Sequence, residues 1–137
     1  YARAEALFAS LGSRYVHGVR LHRATVGLLR GDPAVRPYRP YMASFVGETH
    51  RDPLALAQAQ LGLAVCAGRE GAWQEFDRAI AAAVTHVAQA RETRPVLVQL
   101  LRVAGETARV AGEVARADSV AAIAGAQAQR LRPVAGA

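Results

Sequence analysis

The 137-residue chain has no lysine and no asparagine, and only one cysteine, one methionine and one tryptophan. Each absence removes some chemistry. Without lysine there is no P-loop lysine, no kinase β3 lysine and no Schiff-base nucleophile. The lone Cys66 rules out an intrachain disulfide, which fits a reducing, cytoplasmic location. No run of 18 or more apolar residues lacks a charge, so no segment is expected to span a membrane. No signal peptide is visible, and the only methionine is Met42, so Tyr1 reads as other than a native start. HExxH, CxxC, GxSxG and glycine-rich phosphate loops are missing as well. The chain is therefore expected not to be an enzyme, with no catalytic residue, no cofactor and no metal.

What is present is alanine and arginine. Alanine is the best helix former, and the β-branched and aromatic mixtures of sheets are scarce, with aromatics at 6%. An all-α chain follows, long enough for one domain with a continuous core. Every one of the 17 basic residues is arginine, and they outnumber 11 acids for a formal charge of +6. An arginine bias of this kind also arises from GC-rich coding, so by itself it names no partner.

Apolar periodicity and turn signals divide the chain into about seven helices. The first covers 2–11 and ends at Gly12. Ser13 caps a second over 14–30, with Tyr15, Val19, His22, Val26 and Leu29 on one face and Leu21 and Leu28 widening it. Gly31, Asp32 and Pro33 stop it, and Pro33, Pro37 and Pro40 keep the next stretch a loop until a short helix over 40–48. Asp52 and Pro53 are an N-cap and first-turn pair. They open a hairpin, 54–90, whose first helix is apolar almost all round. Its second carries Trp73, Phe76, Ile80, Ala83, Val84 and Val87 on one stripe. Pro95 begins a helix to about Ala111, with Val96, Leu97, Leu100, Leu101, Ala104 and Ala108 on one face and Val103 and Val110 on another. Gly112 turns the chain into a last helix, 113–131, striped by Val114, Ala117, Ala121, Ala124, Ala128 and Leu131. Pro133 ends it, and 133–137 reads as a flexible tail.

The turns repeat. Gly31, Gly71 and Gly112 lie 40 and 41 residues apart, each between an upstream and a downstream helix. Three helix-turn-helix units, about 13–50, 52–91 and 93–131, make one helical-repeat domain over 1–132.

The segments REGAWQEFDRAI and VAGEVARADSVAAI resemble the turn and second helix of tetratricopeptide repeats. The long period is similar to the extended version found in large bacterial signalling and regulatory proteins. The resemblance covers about 52–131, and covers 13–50 loosely because prolines interrupt that unit. It implies a right-handed solenoid of stacked antiparallel hairpins whose concave side binds a peptide or protein segment. The carboxylate clamp known in such repeats uses lysine and asparagine, which this chain lacks, so that mode does not carry over.

Single residues have plain alternatives. Trp73 and Phe76 read as hairpin packing, and Cys66 as a small buried hydrophobe. His17 and His22 are five apart, a poor spacing for one metal on a helix. His50, between Glu48 and Asp52, reads as a helix-end residue beside a cap. Arg102, Glu106, Arg109 and Glu113 read as an exposed ion-pair ladder. The stretch Arg36-Pro37-Tyr38-Arg39-Pro40-Tyr41 combines extended backbone with interface residue types. Upstream lie Arg20, Arg23 and Arg30, so the basic surplus is concentrated in residues 1–51, with 8 arginines against 3 acids. Arg20, Arg23, Arg30, Arg36, Tyr38, Arg39 and Tyr41 are therefore the candidate partner-binding residues. A connector whose tyrosines pack down on neighbouring helices fits the same residues. The expected function is a scaffold for protein–protein or interdomain binding within a larger regulatory protein. A basic nucleic-acid-binding domain and a self-association module are the alternatives.

Overall fold

A computed structural model describes residues 2–4, 6, 16–31, 39–47 and 52–131, with backbone alone at 16–18. It is all-α, with no strand among the described residues. The six helices are α1 (Val16–Leu29), α2 (Arg39–Gly47), α3 (Pro53–Arg69), α4 (Trp73–Ala88), α5 (Pro95–Val110) and α6 (Val114–Leu131). Residues 2–4 and 6 are helical too, inside the first expected helix, so the count of about seven stands. Ser13, the 32–38 connector, residues 48–51 and the tail lie outside the described residues.

The start and stop signals act as the sequence dictates. Asp52 is extended at φ −87° and ψ 103°, and its carboxylate accepts from Leu54 N at 3.0 Å, with Pro53 opening α3. That bond satisfies one of the backbone donors a helix start leaves unpaired. At the other ends, Gly31, Gly71 and Gly112 all take left-handed φ, at 77°, 75° and 82°. Gly71 N donates to Gly68 O and Ala72 N to Ala67 O. Gly112 N donates to Arg109 O and Glu113 N to Ala108 O. This paired closure answers the last carbonyls and reverses the chain at once into the next helix. Gly31 N likewise donates to Leu28 O.

α3 lies at the centre. It packs on α1, α2, α4 and α5, which accounts for its all-round apolarity, and 11 of its 17 residues are buried. α4 folds back on α3 and α6 on α5. One core runs from Leu21 through Leu61, Phe76 and Leu100 to Ala124.

Three faces differ from expectation. α1 buries Leu21, Ala24, Thr25 and Leu28, while His22 is exposed and Val19, Val26 and Leu29 are only half-buried. The cause is a polar pair that hydropathy scores against burial. Thr25 Oγ1 donates to Leu21 O at 2.8 Å and accepts from Gln58 Nε2 at 2.9 Å, so both side chains go inside satisfied. On α4, Val84 falls off the stripe and is exposed, while Ala79 joins it. On α6 the expected stripe is buried only in part. Ala117 and Ala124 of the expected stripe are buried and Ala128 is half-buried, but Val120 joins them while Val114, Ala121 and Leu131 are exposed.

Candidate functional site

Several of the described arginines tie one segment of the fold to another. Arg39, at the start of α2, donates to both Glu70 and Glu75. Its Nε and Nη2 lie 3.2 and 3.1 Å from the two Glu70 oxygens, and Nη1 and Nη2 reach the Glu75 carboxylate, the latter at 3.2 Å. The guanidinium holds the Glu75 carboxyl below the usual carboxylate range, while the two glutamates raise the Arg39 pKa further. Arg116 on α6 plays the same part for α4. It grips Asp77 through two bonds of 2.9 Å, donates to Glu113 at 2.7 Å and lies 5.7 Å from the centre of the Trp73 ring. Trp73 meets Phe76 edge-on at 5.3 Å. Phe76 packs toward Gly68 of α3, so the pair reads as part of the α3/α4 hairpin, with Arg116 of α6 laid over Trp73.

Several of these ties join positions one period apart. Arg69 Nη2 donates to Leu28 O across 41 residues, Arg94 to Asp52 across 42, Arg116 to Asp77 across 39 and Arg130 to Ala90 O across 40.

The candidate residues do not form one cluster. Arg20 lies over the Tyr41 ring at 5.9 Å, and Tyr41 is half-buried against the core. Arg39 is engaged with Glu70 and Glu75. Arg36 and Tyr38 lie outside the described residues. Arg23 and Arg30 are exposed on or just beyond α1. The expected ladder on α5 is also rearranged: Arg109 lies 3.9 Å from Glu106 and 4.0 Å from Asp118, and Glu113 turns to Arg116 instead.

Periodicity gave no hint of the open spaces. A cleft of about 590 Å³ lies over the C-terminal end of α3, between α1 and α5. Leu28 and Leu29 wall one side, Val103 and Val110 the other, and Gly68 and Arg69 lie along α3. Val110 is 79% exposed, the most open of the large hydrophobics among the described residues. A second groove of about 570 Å³ separates α4 from α6, with Ile80, Val84, Val120 and Ile123 along it and Asp77 and Arg116 among its polar lining.

Cys66 is fully buried, and desolvation pushes its thiol up to about 11, far from a ready nucleophile. No group of three or more His, Cys, Asp or Glu is placed to hold a metal among the described residues. No helix among them is long and apolar enough to cross a membrane. No protein-family model matches the chain, and no curated protein and no solved structure matches it.

Proposed function

We propose that this chain is a non-enzymatic helical-repeat scaffold, tetratricopeptide-like, with its hairpins stacked as a right-handed solenoid. Its work is binding a protein or peptide segment, or another domain of a larger bacterial signalling or regulatory protein in the cytoplasm. The observation that carries this reading is the threefold turn. Left-handed glycines recur at 31, 71 and 112, and polar ties link residues 39 to 42 positions apart. A repeat array presents shape rather than reactive groups, and the two apolar clefts supply that shape.

A peptide panel varied in charge and apolar content, run beside mixed-sequence duplex DNA, tests the proposal. Saturable peptide binding near physiological salt, without comparable DNA binding, supports it. Micromolar DNA binding that falls steeply with salt, and no peptide binding, replaces it with the nucleic-acid reading. Light scattering over a hundredfold concentration range separates self-association, which requires a mass that grows with concentration.

A further inference from the structure

We infer that the α5/α6 hairpin closes the array: the outer line of α5 bars a further hairpin, so copies of the chain do not stack end to end. This rests on the repeat reading of the scaffold and settles which end of the stack can take another helix.

The three left-handed glycines give each unit the same ruler. Ten, six and three residues before Gly31 stand Leu21, Thr25 and Leu28, and at the same distances before Gly71 stand Leu61, Val65 and Gly68. Positions i, i+4 and i+7 share one line of a helix. In α1 that line is turned to the next unit: its residues are at most 3% exposed, and Thr25 accepts from Gln58 of α3. In α3 it is turned to the next unit again. Leu61 and Val65 are buried, and a Cβ at Gly68 would stand 2.9 Å from the methyl of Thr107 on α5.

Ten, six and three residues before Gly112 stand Arg102, Glu106 and Arg109, all exposed. The line that joins one unit to the next is thus buried twice and charged the third time. Bulk does not close it, since a groove of about 340 Å³ lies beside these residues over Gly105, Ala117 and Ala124. Charge does. Arg109 lies 3.9 Å from Glu106 and 4.0 Å from Asp118, in pairs that are more than half exposed. An apolar helix laid over Arg102, Glu106 and Arg109 strips their hydration and answers none of them, which costs more than its own burial returns.

The other end of the stack stays apolar. Val19 and Val26 stand twelve and five residues before Gly31 and are only half-buried. Leu100, twelve before Gly112, and Cys66, five before Gly71, are fully buried at the matching places. A molecule with an apolar line free at both ends joins head to tail without limit. The charges on α5 remove one of the two.

Light scattering on the full chain over a roughly hundredfold concentration range tests this, beside the triple variant Arg102→Leu/Glu106→Val/Arg109→Leu, which copies the buried lines of α1 and α3. The mass of the parent is expected to stay constant, and that of the triple variant to rise at least about twofold. Adding Val26→Asp or Val19→Asp, each checked for unchanged helix content by circular dichroism, returns the triple variant to the parent mass. Arg78→Leu/Thr85→Val/Gln89→Leu, three changes at exposed positions on and just after α4, leaves the mass at the parent value. A triple variant that stays at the parent mass overturns the inference, because the charges then close nothing. Association that survives both Asp variants, or that the α4 control matches, overturns it as well, since the gain is then general stickiness. A parent mass that already rises, and falls back with Val26→Asp, shows the stack open and also overturns it. Peptide binding, by which the scaffold reading is judged, is read separately from all of these.

Discussion

The first helix pair and the two that follow start from the same turn and end differently. After Gly71 and Gly112 a helix begins almost at once, sixteen residues long in α4 and eighteen in α6. After Gly31 the next described helix is α2, which begins at Arg39 and lasts nine residues. A left-handed glycine ends a helix in all three places, and after Gly71 and Gly112 the next helix starts two residues on. α2 is held instead by what lies beyond it: Met42 is fully buried beside the bare backbone of Gly62, and Arg39 is clamped by Glu70 and Glu75. A short helix is thereby fastened to the next unit as much as to its own.

Substitutions can break that contrast, and the largest effect belongs in the tight pair. Phe76→Ala removes a fully buried ring from the α3/α4 packing and is expected to cost about 3–5 kcal/mol, seen as a lower midpoint for the whole chain in thermal melts. Met42→Ala opens a cavity worth about 2–4 kcal/mol. Its damage should stay in the first unit, with amide exchange rising in α1 and α2 well before α5. An equal rise in α5 would show that the first unit is not separable.

Next comes the buried polar pair. Thr25→Val strands Gln58 Nε2 in a site that is 3% exposed, at a cost of about 1–3 kcal/mol. Gln58→Leu leaves Thr25 still donating to Leu21 O, so it costs less, and adding it to Thr25→Val recovers part of the loss. A double-mutant cycle in urea checks the sign. Gly71→Ala and Gly112→Ala meet no atom within 4 Å, so only backbone strain acts, about 1–2 kcal/mol each. Gly31→Ala has the same strain but should be felt in α1 and α2 alone.

Arg39→Ala is the mildest, about 1 kcal/mol or less, because the clamp is partly solvated. Its pH dependence is more telling. The Glu75 carboxyl is held below its ordinary 4.5, so its contribution is complete above that value and fades as pH falls through the lower folded one. Exchange in α2 should accelerate below about pH 4.5 in the parent chain. In Arg39→Ala that acid step should shrink.

Much of this architecture was legible in residues. Asp52-Pro53 marks a helix start chemically, and three glycines mark helix ends because other residues resist left-handed φ. The all-round apolarity of α3 announces its central place. α1 was harder to read, because it has two apolar faces, and the buried one contains a threonine that only a partner on α3 makes acceptable. The arginine ties were not legible either, since a guanidinium reaches far and sequence does not say which carboxylate it meets. The clefts follow from how neighbouring hairpins splay, and local pattern carries no record of that.

Hydrogen exchange read peptide by peptide along the intact chain tests the central claim most directly. If the molecule is three units on one glycine-set period, with the first held least firmly, α1 and α2 exchange together as an early step. The α3/α4 and α5/α6 pairs follow more slowly, with the breaks in protection at Gly31, Gly71 and Gly112. A single common rate for all six helices, or α2 outlasting α3, would contradict it.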